Sequence, residues 1–222
     1  MSHHLNAFKI TLAVAIASSA CLSTVSALAA EDSDAFNRPS LGSRWVVTSG
    51  TLSIANDQLV GSSSSLGYLK PVSTNQTSAS TVVFIGGTDL EYGAIAVGDI
   101  SGGTNAFVKI QSDNGVGTFD HAAFYTGNNG GGDYFELSSP VPSPAILDVW
   151  FCGNSAVMQI TSSTGVQTYT YNYRTKFVAG AGLGTYGSVA LDNFVEFPKS
   201  CTDAPANAIP ALEMRSAQDP TR

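Results

Sequence analysis

The feature that most constrains this chain is the two-residue alternation of its last regular segment, FVAGAGLGTYGSVALDNFVEF, from Phe177 to Phe197. A glycine-rich run ends at Gly187, and Val189, Leu191, Val195 and Phe197 then fall on one face. Such alternation marks a strand with one buried side. Near the other end, DAFNRPSLGSRWVVTSGTLSIANDQLVG (Asp34 to Gly61) has the same character. An antiparallel sandwich that opens and closes in this way pairs its first and last strands, which shields an otherwise open edge.

Between these ends the pattern predicts strands at Trp45–Thr48, Leu52–Ala55, Ser80–Ile85, Ala94–Asp99, Ala106–Gln111 and Thr118–Thr126. Further strands follow at Tyr134–Leu137, Ile146–Cys152, Ala156–Thr161 and Val166–Tyr173. Turn residues punctuate them, Gly153-Asn154 being a two-residue hairpin signal. Pro140, Pro142 and Pro144 crowd what reads as a loop. Helical periodicity of useful length is absent from the chain after its N-terminal segment. With 43% apolar and only 12% charged residues, the 222-residue chain suits one sizeable all-β core. A formal charge of −7 argues against nucleic acid as a partner, because an acidic surface repels phosphate backbones.

The N-terminus reads as an export signal over residues 1–30. Lys9 gives a positive start, Ile10 to Ala20 an apolar core, and Ala27-Leu28-Ala29 small residues for cleavage. The apolar run is short for a bilayer span, and no later segment approaches that length. Cys21 would be acylated in a lipoprotein, but Ser18 stands where a large aliphatic residue is wanted. Residues 31–198 form the predicted domain, and 199–222 a flexible tail. Removal of the leader leaves Cys152 and Cys201, a pair that reads first as a disulfide in an exported protein and otherwise as two buried thiols. Two cysteines alone do not make a structural zinc site.

The opening motif DxF…LGxxWxVxSGT…QLVG and the closing GxGLGTYG…DNF resemble domains of the concanavalin A-like lectin/glucanase superfamily, laminin-G-like jelly rolls included. The resemblance covers about residues 34 to 197 and rests on turns and strand ends, so it implies a fold more than a function. It implies an antiparallel β-sandwich of jelly-roll type. It also brings calcium into consideration, and Asp192 matches an acidic residue that relatives place in the last strand; a structural role there comes first.

The resemblance also raises the question of catalysis. Retaining glucanases of the superfamily carry E-x-D-x-(x)-E on one strand, since two carboxylates must reach one glycosidic bond. That string does not occur here. Asp89/Glu91 lacks a third acid, and Asp133/Glu136 is spaced to face opposite sides of a strand. The Gln-x-His and Tyr-x-Lys strands of alginate-lyase-type relatives are also missing. His121, the one histidine beyond the leader, follows Asp120 directly, so in a strand their side chains should diverge and leave a polar surface residue.

Recognition remains. Tyr169, Tyr171 and Tyr173 share one face of a strand, either stacking on sugar rings or packing inward, since Thr168, Thr170 and Asn172 between them are poor core material. A second candidate is YTGNNGGGDY, in which Tyr125, Asn128, Asn129, Asp133 and Tyr134 supply rings, amides and a carboxylate suited to sugar hydroxyls or calcium. Asp113, Asn114 and Asp120 lie on a neighbouring turn and could add oxygen ligands, but no complete calcium set can be read. The reading is a noncatalytic binding module, secreted, at the cell surface or in the periplasm, with carbohydrate the leading ligand that the resemblance implies. Two alternatives stay open: a structural or adhesive protein binding extracellular proteins, and a glycoside hydrolase or polysaccharide lyase with an unrecognised site.

Overall fold

A computed structural model of the chain describes residues 32–61, 67–71, 78–87, 90–97, 106–126, 131–173, 180–196 and 209–210. Regular structure among the described residues is entirely β. In chain order the strands are β1 (Asp32–Asp34), β2 (Trp45–Ser49), β3 (Leu52–Ala55), β4 (Gln58–Gly61), β5 (Gly67–Pro71), β6 (Ser78–Phe84), β7 (Glu91–Val97) and β8 (Ala106–Ser112). There follow β9 (Thr118–Thr126), β10 (Gly131–Pro142), β11 (Ala145–Cys152), β12 (Ser155–Ser162), β13 (Gly165–Asn172), β14 (Ala181–Tyr186), β15 (Ala190–Glu196) and β16 (Ile209–Pro210).

They form two sheets. One runs β16-β13-β12-β11-β6-β15-β4-β3, with β1 also on β15; the other runs β10-β9-β8-β7-β14-β5-β2. The first and last main strands do pair, Asp32 opposite Glu196 and Asp34 opposite Phe194. The β11–β12 hairpin turns at Gly153-Asn154, where Gly153 takes φ 64°. Inward-facing Val108, Ile110, Phe124, Phe135, Leu147, Met158 and Ile160 are all 2% exposed or less and fill the space between the sheets.

Several expectations need correction. Val189, Leu191, Val195 and Phe197 do not share a face. A bulge between Asp192 and Val195, with Asn193 at φ 51°, shifts the phase so that Leu191, Phe194 and Glu196 are buried. Phe197 lies outside the described residues. Asp192 sits at that bulge, its carboxylate accepting the Asn193 N–H at 2.7 Å. The glycine-rich AGLGTY is itself strand β14, paired on both sides by β7 and β5. Strand β10 continues through Pro140 to Pro142, with its register shifted between Glu136 and Val141. Ile209 and Pro210 of the expected tail lie parallel to Tyr169 and Thr170 at the sheet edge.

The opening motif folds around Asp34, which is 5% exposed. Its carboxylate accepts the Phe36 N–H (2.8 Å), two guanidinium N–H groups of Arg38 (2.6 and 2.5 Å) and the Trp45 indole N–H. Burial alone would raise its pKa, but the bonds from Arg38, Trp45 and Phe36 outweigh it and hold the carboxyl below the ordinary range. Trp45 then packs between Phe36 (centroids 5.7 Å) and Phe194 (5.2 Å), tying the first strands to the last.

Cys152 closes β11, and Cys201 lies outside the described residues, as do the export signal and Cys21. Among the described residues no helix is long and apolar enough to cross a membrane.

Candidate functional site

The tyrosine stripe faces inward. Tyr169 is 0% and Tyr173 3% exposed, and Tyr171 is half-buried. Their rings meet the opposite sheet, Tyr169 on Phe135 at 5.0 Å and Tyr171 on Phe124 at 5.6 Å. The Tyr169 hydroxyl accepts the Ser138 N–H (2.9 Å) and donates to Gln167 (2.5 Å), which lets a phenol sit in the core. A ligand cannot stack on Tyr169 or Tyr173 in this arrangement, because the facing sheet already does. Asp133 is also turned inward, opposite Phe124, and is 4% exposed. Asn128 and Asn129 lie outside the described residues.

Tyr125 and Tyr134 are placed differently, on the face of the seven-stranded sheet turned away from the core. Cross-strand register defines that face. One row runs Tyr186, Tyr92, Gln111, His121, Glu136 across β14, β7, β8, β9 and β10. The next runs Gly184, Ala94, Lys109, Ala123, Tyr134, and a third runs Gly182, Ala96, Phe107, Tyr125, Gly132. Five strands span about 19 Å, with rows roughly 7 Å apart.

Small neighbours let the large ones lie flat. Ala94 and Ala123 flank Lys109, so its side chain folds down and rings from diagonal positions close over it. The Lys109 ammonium stands 4.2 Å from the Tyr92 centroid, 5.3 Å from Tyr125 and 5.6 Å from Tyr134. Gly132 is needed beside them, since a Cβ there would come within 1.9 Å of the Phe124 carbonyl oxygen.

A hydrogen-bonded relay runs through this patch. Lys109 Nζ donates to Gln111 Oε1, Gln111 Nε2 donates to Asp113 and, at 3.2 Å, to the Tyr134 hydroxyl, and that hydroxyl donates to Asp113. Burial, then the Asp113 bond and nearby negative charge, raise the Tyr134 phenol well above its ordinary value, so it remains a protonated donor. Burial pushes Lys109 down to about 8, with Asp113 partly opposing the shift.

His121 stacks on Tyr134 at 4.7 Å and 7°. The expected divergence of Asp120 and His121 is not found. Asp120 curls back to accept the Asp113 N–H (2.9 Å), which brings its carboxylate 3.1 Å from His121 Nδ1, with Asp113 at 3.4 Å. Neither contact has hydrogen-bond alignment. Among the described residues no group of three or more His, Cys, Asp and Glu could hold a metal ion. Glu91, weighed above as a catalytic acid, is 0% exposed on the inward face and accepts the Gly87 N–H at 2.9 Å.

Lys109, Gln111, Tyr92 and Tyr186 were not singled out in the sequence. The signal was present in AFVKIQSD, where apolar Val108 and Ile110 alternate with Lys109 and Gln111.

No protein-family model matches the chain, and no curated protein matches it. Solved structures do. It is similar to lectin II from Ulex europaeus (10% identity, 77% of this chain and 98% of that one, TM-score 0.53). It is similar also to the Bacillus licheniformis β-glucanase (12%, 77% and 99%, 0.51) and to porphyranase B from Zobellia galactanivorans (9%, 74% and 90%, 0.51). The fold is therefore the concanavalin A-like jelly roll that the opening and closing motifs imply.

Proposed function

We propose that this protein is an exported, noncatalytic carbohydrate-binding module whose ligand lies on the outward face of the seven-stranded sheet. One observation carries the reading. Tyr92, Tyr125, Tyr134 and Tyr186 come from four strands onto one face, and the last three are half-buried there. Such rings stack on the apolar face of a pyranose while Asp113, His121 and Glu136 between them bond its hydroxyls. The lectin and glycan-active names among the structural neighbours agree with this class.

The raised phenol of Tyr134 supports binding over elimination chemistry, since a hydroxyl held protonated by Asp113 is a donor and a poor base. Export also fits a disulfide between Cys152 and Cys201, the two cysteines that removal of the leader leaves. Screening the mature protein on an array of plant, microbial and host glycans tests the proposal. Binding to a defined glycan is expected, and silence across the array, or release of reducing ends or unsaturated products, would overturn it.

A further inference from the structure

His121, the one histidine beyond the leader, stands on the outward face beside two carboxylates of its own hairpin. Resting on the carbohydrate reading above, we propose that His121 couples glycan binding to pH, the face holding its glycan more tightly when the imidazole is protonated. The imidazole is 18% exposed, and its Nδ1 lies 3.1 Å from Asp120 Oδ1 and 3.4 Å from Asp113 Oδ2. Neither contact is an aligned hydrogen bond, so the neutral ring gains little from them. The imidazolium gains charge attraction from both, which needs no such alignment.

The groups around the ring come from the three strands that meet here. Strand β8 places Gln111 opposite His121 and carries Asp113 into the turn, and β9 supplies Asp120. Strand β10 places Glu136 opposite His121 and lays the Tyr134 ring on the imidazole at 4.7 Å. The Tyr134 hydroxyl donates to the same Asp113 Oδ2 that His121 faces. Lys109 joins the group from the next row through Gln111. A glycan laid over this group takes water away from Asp113 and Asp120, a cost that is greatest for charged side chains. An imidazolium between them offsets part of that cost. It also holds Asp113, and with it the Tyr134 ring, in one position before the ligand arrives. A histidine changes charge between about pH 5 and 8, below the point near 8 where Lys109 loses its proton.

The test takes the glycan that binds best on the array and titrates it into the mature protein by calorimetry at about pH 5 and about pH 7.5. Affinity should be about five- to tenfold higher at the lower pH. Linkage then requires that saturating glycan raise the titration midpoint of His121, followed by imidazole NMR of this single histidine, by about one pH unit. His121→Gln should remove the tightening at low pH, and Asp120→Asn should reduce it, each with a cooperative thermal transition. Equal wild-type affinity at both pH values, a midpoint that glycan leaves in place or lowers, or tightening that persists in His121→Gln would overturn this inference while upholding the carbohydrate reading. Absence of binding to every glycan at both pH values would overturn both.

Discussion

The Lys109 ammonium lies 4.2 Å from the centre of the Tyr92 ring on the neighbouring strand, and both residues are more than 90% buried. This pair sits under the half-exposed rings of Tyr125 and Tyr134, so a buried cation and an aromatic surface are parts of one structure. The burial has a thermodynamic sign that can be measured.

Folding lowers the Lys109 pKa from 10.5 to about 8, so the charged form is disfavoured in the native state. Below pH 8 both folded and unfolded chains carry the proton, and the cost of burying it is fully present. Between about 8 and 10.5 the unfolded chain binds more protons, so this residue's contribution to stability rises with pH. Denaturant unfolding of wild type and Lys109→Met should show the gap between them narrowing across that window, by on the order of 1–3 kcal/mol. A gap independent of pH would place the ammonium in water.

Asp34 works in the reverse direction. Its depressed pKa means that its stabilisation is complete above the unfolded aspartate value of 3.8 and is lost as pH falls through the lower folded value. Asp34→Ala, which leaves Arg38 and the Trp45 indole without their acceptor, should cost roughly 2–4 kcal/mol near neutrality. Chemical denaturation should show that cost shrinking below about pH 4.

The inward tyrosines give a clean separation of stability from binding. Tyr169→Phe keeps the ring against Phe135 but removes the acceptor of the Ser138 N–H and one of the donors to Gln167 Oε1, so it should destabilise by about 1–2 kcal/mol. Affinity for glycan should stay within about twofold of wild type, since Tyr169 is buried between the sheets. Paired thermal melts and binding titrations check both halves.

The strands were legible where residues alternate cleanly and turns are local. Leu52–Ala55 and Thr118–Thr126 have the predicted ends, and Gly153-Asn154 makes the predicted hairpin. AGLGTY was hidden because its glycines lower local strand preference while pairing to two distant strands supplies the order. The phase of VALDNFVEF was hidden by Asn193, whose left-handed backbone inserts a residue that alternation cannot foresee. At the site, Tyr125 and Tyr134 stood out because one glycine-rich loop joins them. Tyr92, Lys109 and Tyr186 meet through register across β14, β7 and β8, a relation that only the assembled sheet reveals.

The proposed Cys152–Cys201 bond would close a loop worth about 4 kcal/mol by chain entropy, less any strain. Intact mass of the exported protein should be about 2 Da below the reduced value, with no thiol open to alkylation before reduction. Two alkylated cysteines without reductant would contradict the pairing.

The central claim is that ligand lies on the outward face of the seven-stranded sheet, and the most direct measurement titrates a glycan identified on the array into Tyr125→Ala and Tyr186→Ala. Both substitutions should weaken binding about tenfold or more, as loss of a stacking ring does, while the thermal midpoint moves by only a few degrees. Unchanged affinity in both variants, with loss appearing instead on substitution of Gln159 on the nine-stranded sheet, would contradict the account.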